Sequence, residues 1–198
     1  MTELVDVFNK IYSTSHWGYK SGIGSYPENA TAWTSIVNSF LEKEDITTVL
    51  DIGCGDWRLG KTYRLENKQY VGMDVSSSIV NDIQPNSKEN IKFIHGDASV
   101  TDLEKTDLVL IKDVLQHLPN SDVLKILNKV IESCKYALIC NDLCLGDNVD
   151  IVAGGWRPLD FSKDPFNYNF KRIGSWYIGD SEKVVYLYSD FGLGEVDK

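Results

Sequence analysis

The sequence predicts a single α/β domain: a doubly wound, mostly parallel seven-stranded sheet with an antiparallel C-terminal hairpin and helices on both faces. Two observations lead there. From residue 47 onward, short apolar runs rich in Val, Ile and Leu alternate with helical segments, the pattern of a parallel sheet covered on both sides. After residue 169 the pattern changes to two β-rich runs around a short polar turn, which reads as a hairpin. A third observation places a ligand. In VLDIGCGDW (49–57) an apolar run ends in an acid and then two glycines at alternate positions, as a strand does when it enters a ligand-facing turn.

The elements follow in order. LVDVFNKIY sets Leu4, Val7, Phe8 and Ile11 on one helical face. A polar, glycine-bearing stretch, STSHWGYKSGIGSYPEN, separates it from a second amphipathic helix marked by Trp33, Ile36, Val37, Phe40 and Leu41. TTVLDI, QYVGMD, IKFIHG, DLVLIK and YALICN are the five parallel strands. SDVLKILNKVIESC is the clearest helix, with Ser121 as its expected cap and Val123, Leu124, Leu127, Val130, Ile131 and Cys134 on its apolar face. FKRIGSWYI and KVVYLYSDF, joined by GDSE, form the hairpin. Residues 1–46 are read as N-terminal helices and a lid, 47–145 as the ligand-binding core, and 146–198 as an acceptor-side loop and the hairpin, all within one domain.

Composition narrows the partners. The chain has 198 residues and a net charge of −9, with no run of Lys or Arg, which disfavours gripping a nucleic-acid backbone by charge. No stretch is long and apolar enough to cross a bilayer, and the start carries acids rather than an apolar signal core. The four cysteines make no C-x-x-C pair and read as reduced thiols, so a cytoplasmic setting is expected.

In a doubly wound sheet, ligands sit beyond the carboxyl ends of the strands. The first strand end carries Asp51, Gly53 and Gly55. The second ends at Asp74, where a carboxylate can accept from both ribose hydroxyls. The third ends in HGDAS, where Asp97 can accept from an adenine amine and the Ala98 amide can donate to the ring. Together these describe a nucleoside site. A dinucleotide fingerprint needs a small residue at the third position of G-x-G-x-x-G/A; here that position is Arg58, behind Trp57. The bulky pair and Asp51 suit a cationic ligand without phosphates, such as S-adenosylmethionine (SAM).

VLDIGCGDW, YVGMDVS, FIHGDAS and DLVLIKDVLQHL, taken in order, resemble the motifs of the Rossmann-like, seven-stranded SAM-dependent methyltransferases. SGIGSYPENA, KDVLQHLPNSDV and GGWRPLDFSKDPFNYN further resemble segments of a group of small bacterial-type methyltransferases that tailor glycans and other small acceptors. The resemblance implies SAM as cofactor. It implies that Gly53 and Gly55 pack on the methionine part, Asp51 balances the ammonium, Asp74 takes the ribose, and Asp97 with Ala98 takes the adenine. Trp17, Ser25 and Lys112 complete the implied cofactor set.

The fourth strand ends in IKDVLQHL. His117 is the expected general base, oriented by Asp113 four residues before it. Asp113, Asn141 and Asp142 offer an alternative oxygen-ligand magnesium site, against the plainer reading of turn-forming polar residues. HWGYKSGIGSY is expected to be a lid, with Trp17, Tyr19 and Tyr26 excluding water. In residues 154–172, Trp156, Arg157 and Arg172 are expected to meet the acceptor, Arg157 either clamping an anionic group or pairing with Asp160 or Asp164. The expected reaction is O-methylation of a small acceptor, a sugar or nucleotide sugar. The rivals are a small amine, an RNA or protein acceptor, a non-catalytic SAM-binding subunit and an NAD-dependent oxidoreductase.

Overall fold

The computed structural model of the protein describes residues 3–18, 20–43 and 45–190. Seven strands form one sheet: β1 (Thr48–Ile52), β2 (Gln69–Asp74), β3 (Ile91–His95), β4 (Thr106–Lys112), β5 (Cys134–Asp142), β6 (Lys171–Ile178) and β7 (Ser181–Ser189). Their order is β3-β2-β1-β4-β5-β7-β6. The first five run parallel, and β7 pairs antiparallel with both β5 and β6. The order reverses between β1 and β4, and a crevice opens there at the carboxyl ends of the strands. The predicted fold class is the observed one.

Strand alternation feeds two cores. Leu50, Ile52, Val109, Ile111 and Ile139 face α1 (Glu3–Ser13), α4 (Asn120–Ser133) and the 159–170 loop. Val49, Leu108, Leu110, Leu138 and Cys140 face α2 (Pro27–Leu41) and α3 (Ser77–Ile83). Burial on both faces is why these strands read as continuous apolar runs. At the opposite end from the crevice, Asp107 ties β4 to β1. Its Oδ2 accepts from the Thr47 and Thr48 amides at 2.8 and 2.9 Å, and Lys135 pairs with its other oxygen at 2.6 Å. β6 is the exposed edge, and an irregularity between Arg172 and Gly174 interrupts its pairing.

Two local expectations are corrected. Ser121 does not cap α4, which begins at Asn120 with Pro119 as N-cap. The Asp150 carboxylate caps the helix from a distant loop instead, accepting the Asn120 amide at 2.8 Å. The buried face of α4 includes Ile126, whereas Leu124 and Ile131, expected on it, are only partly buried. The alternation is also incomplete. The β1–β2 link contains only the short 3-10 turn Gly60–Thr62, and the β3–β4 link has no helix.

Candidate active site

A cavity of about 980 Å³, its open mouth included, lies beyond the ends of β1, β2 and β4. Its floor is the glycine turn. Gly53 and Gly55 have φ of +73° and +55°, a left-handed backbone that favours glycine. A Cβ at Gly53 would lie 2.2 Å from a Val114 methyl, and one at Gly55 2.4 Å from the Ser21 hydroxyl. The glycines therefore serve close packing within the protein as well as an open floor.

Five acids line the cavity, and three of them, Asp51, Asp74 and Asp97, sit at or just past strand ends. Asp74 accepts the Gly55 amide on Oδ2 at 3.0 Å and the Ser76 amide on Oδ1 at 2.8 Å, which binds the turn to the end of β2. Burial pushes its pKa up to about 6, against the opposing effect of those amides. Asp51 accepts the Tyr70 hydroxyl at 2.7 Å, and burial pushes it up to about 7. Asp97 accepts the Ser99 amide and hydroxyl on Oδ1 at 2.9 and 2.7 Å. Its Oδ2 is buried and has no hydrogen-bond partner among the described residues. An unpaired carboxylate oxygen on a residue that lines the cavity is what an exocyclic amine requires. With the turn and Asp74, it makes the donor set fit an adenosine bearing a cationic tail.

The N-terminal segment closes the cavity. Leu4, Phe8 and Tyr12 of α1 line it, followed by Trp17, Ser21 and Ser25. Trp17 lies 4.5 Å from the His117 ring, at 34°, and contacts Phe8 and Tyr12. Ser21 accepts the Asp56 amide at 2.9 Å, and the Gly24 carbonyl accepts from Lys112 at 2.8 Å. Of the segment expected to be a cover, Trp17, Ser21 and Ser25 line the cavity. Tyr19 falls outside the described residues, and Tyr26 packs under the Arg58 guanidinium, 5.1 Å from the ring centre.

His117 ends the short 3-10 turn Leu115–His117 and lines the cavity. Its Nδ1 is 2.7 Å from the Gly155 carbonyl. A carbonyl can only accept, so Nδ1 carries a proton. Burial lowers the ring's pKa, which favours the neutral form with its lone pair on Nε2. The expected Asp113–His117 pairing is not formed. Asp113 has φ +57°, and its carboxylate pairs with Lys112 and Lys183. Those two ammoniums hold its pKa at about 2 despite burial. Lys183 also donates to Asp142 at 2.9 Å, so an ammonium occupies the space between the two carboxylates of the magnesium alternative. No cluster of metal-ligating residues occurs among the described residues.

The arginines are corrected too. Arg157 is buried and donates to the Val149 and Leu115 carbonyls and to Asn120 Oδ1, at 3.1, 3.0 and 2.8 Å. It bolts the acceptor-side loop to the turn before α4 and pairs with neither Asp160 nor Asp164. Arg172 pairs with Asp160 at 3.0 Å and does not line the cavity. Trp156 is 55% exposed, with its indole N–H on Asp142 Oδ2 at 3.1 Å. It does not line the cavity either; it follows Gly155, whose carbonyl holds His117.

All nine expected cofactor residues line this one cavity: Trp17, Ser25, Asp51, Gly53, Gly55, Asp74, Asp97, Ala98 and Lys112. Sequence reasoning missed Leu4, Phe8 and Tyr12, because helical periodicity does not separate core packing from cavity lining. It also missed Ser21 and the buried Lys183, which at the start of a strand resembles any solvated lysine.

Residues 49–136 match a family model described as a methyltransferase domain, and they hold the strand ends and acids described above. The chain thus carries a methyltransferase domain on the seven-stranded, Rossmann-like fold of the SAM-dependent methyltransferases. It is an enzyme of that class, and its cofactor is SAM. Solved structures share the fold at low identity. The Burkholderia thailandensis 1,6-didemethyltoxoflavin-N1-methyltransferase is 16% identical with a TM-score of 0.66, over 93% of this chain and 85% of that one. A Synechocystis magnesium protoporphyrin IX methyltransferase is 14% identical with a TM-score of 0.65, over 93% and 96%. The N-methyltransferase NodS from Bradyrhizobium japonicum is 13% identical with a TM-score of 0.63, over 82% and 87%. No curated protein matches the chain.

Proposed function

We propose that this methyltransferase acts on a hydroxyl of a small polar acceptor, with His117 taking the acceptor's proton, and that the acceptor is a sugar. The observation that carries the reading is the neutral His117 ring on the cavity wall, its Nδ1 held by Gly155 and its face covered by Trp17. A hydroxyl must lose its proton as it is methylated; a free amine has a lone pair ready and needs less assistance. A buried neutral base is therefore of most use to a hydroxyl.

SAM, when bound, supplies a methyl group already activated by its sulfonium. The residues hold and shield it. In this reading Asp74 accepts the ribose hydroxyls, Asp97 Oδ2 the adenine amine, and the Ala98 amide meets the ring. Asp51 faces the ammonium, while Ser25 and Lys112 close the methionine end. Trp17 excludes water above the reacting centre. On the acceptor side the sugar reading rests on the exposed face of Trp156, which suits the C–H face of a sugar. A carried phosphate has no support, because Arg157 and Arg172 are engaged elsewhere. The three similar structures, by their names, include two N-methyltransferases and a porphyrin methyltransferase, so an amine is the competing acceptor. A panel of free sugars, nucleotide sugars and small amines, assayed for S-adenosylhomocysteine (SAH) formation, tests the reading. Product on a sugar supports it; product on amines alone refutes the hydroxyl assignment.

A further inference from the structure

The cover of the cofactor cavity and the acceptor-side loop are joined by a continuous, largely buried path of paired charges. The Gly24 carbonyl accepts from Lys112, and Lys112 pairs with Asp113. Asp113 Oδ1 accepts from Lys183 at 2.6 Å, and Lys183 donates onward to Asp142 Oδ2 at 2.9 Å. The same Asp142 oxygen accepts the Trp156 indole N–H at 3.1 Å, while Ser181 donates to Asp142 Oδ1 at 2.6 Å. The path crosses the cover, β4, β7, β5 and the acceptor-side loop, and no two of its members are neighbours on one helix.

We propose that Lys183 is a positioning residue that couples the cofactor cover to Trp156, so that seating the cofactor sets the acceptor's contact surface. The proposal rests on the reading of residues 16–26 as a cofactor lid and of Trp156 as an acceptor contact. Lys183 is the hub because, among the described residues, it alone touches both carboxylates. It is 5% exposed and Asp142 is 3% exposed, so each has little water to replace a lost partner. Two ammoniums face two carboxylates, leaving the chain neutral. A shift of one member alters the hydrogen bonds of the next rather than being absorbed by solvent. At the cover end there is no slack, since a Cβ on Gly24 would lie 2.5 Å from Asp113 Oδ2. Motion of this segment therefore reaches Asp113 directly. A second link, from Trp17 through His117 to the Gly155 carbonyl, reaches the backbone beside Trp156 but not its indole.

The test uses the whole chain labelled with 5-fluorotryptophan, with SAH as the probe. The Trp156 fluorine resonance is assigned by its loss in Trp156→Phe. In the wild type, SAH should move that resonance. Lys183→Met should bind SAH yet lose the movement, Lys183→Arg should restore it through a two-pronged guanidinium, and His117→Ala should keep it. If Lys183→Met does not fold, Lys112→Met cuts the same path at its cover end; because Lys112 also closes the methionine end, this variant is titrated with SAH to calorimetric saturation, and the movement should be absent even when the site is full. A Trp156 resonance that ignores SAH in the wild type, or still moves in the methionine variants, overturns the proposal while leaving the cofactor assignment intact. Failure of wild-type protein to bind SAH at all would overturn both.

Discussion

Replacing Asp51 with asparagine should stabilise the ligand-free protein while weakening its hold on SAM. Asp51 is 7% exposed, and burial raises its pKa from 3.8 to about 7. The folded state thus favours the protonated acid, whereas the unfolded chain ionises near pH 4. Asp51's contribution to stability is fully present below about pH 4 and is lost as pH rises toward about 7. The gap of about 3 pH units corresponds to at most about 4 kcal/mol at pH 8. The asparagine of Asp51→Asn carries no charge at any pH, and its side-chain oxygen can still accept the Tyr70 hydroxyl. Urea unfolding at pH 8 should show the variant more stable by up to about 4 kcal/mol, with the advantage shrinking below about 1 kcal/mol at pH 4.5. Calorimetry should show weaker SAM binding, by about 1.5–3 kcal/mol, as the ammonium loses a charged acceptor. An Asp51→Asn protein no more stable than wild type at pH 8 would refute the reasoning, because the buried charge would then carry no cost.

Other outcomes follow from the same geometry. His117→Ala should lower turnover by roughly 10²–10⁴ with SAM affinity nearly unchanged, measured once an acceptor is in hand. Because burial lowers the His117 pKa, wild-type turnover should hold at neutral pH and fall only as acid protonates the ring below its ordinary value of 6.5. Amide exchange in residues 16–26 should slow when SAH binds; equal exchange with and without ligand would make the segment a plain connector. Arg157→Ala should act on the fold rather than on the acceptor, costing at least about 2 kcal/mol in urea unfolding because three acceptors lose a charged donor; a fully stable variant would contradict its role as a bolt.

The cavity lining proposed to hold the cofactor was legible because it is local. Asp51, Gly53, Gly55, Asp74 and Asp97 each sit at or just past a strand end, and a parallel sheet brings such ends together whatever the rest of the chain does. The sheet itself was legible from the apolar runs and the hairpin turn. The acceptor half was not, because its contacts join residues far apart in sequence. Arg157 looks the same in a sequence whether its guanidinium meets a phosphate or three groups of the protein. Asp113 and His117 have helical spacing, but the chain leaves β4 through a left-handed residue and a 3-10 turn. The carboxylate then faces two lysines, one of them 70 residues away. Lys183 and the Asp150 cap were invisible for the same reason.

The most direct test of the central claim is calorimetric titration of the wild type and Asp74→Ala with SAM and with NAD. SAM should bind the wild type and NAD should not. The substitution should weaken SAM by about 1–3 kcal/mol, the loss expected for ribose hydrogen bonds to a carboxylate. Tight NAD binding without SAM binding, or an Asp74→Ala protein with wild-type SAM affinity, would contradict the assignment of this cavity.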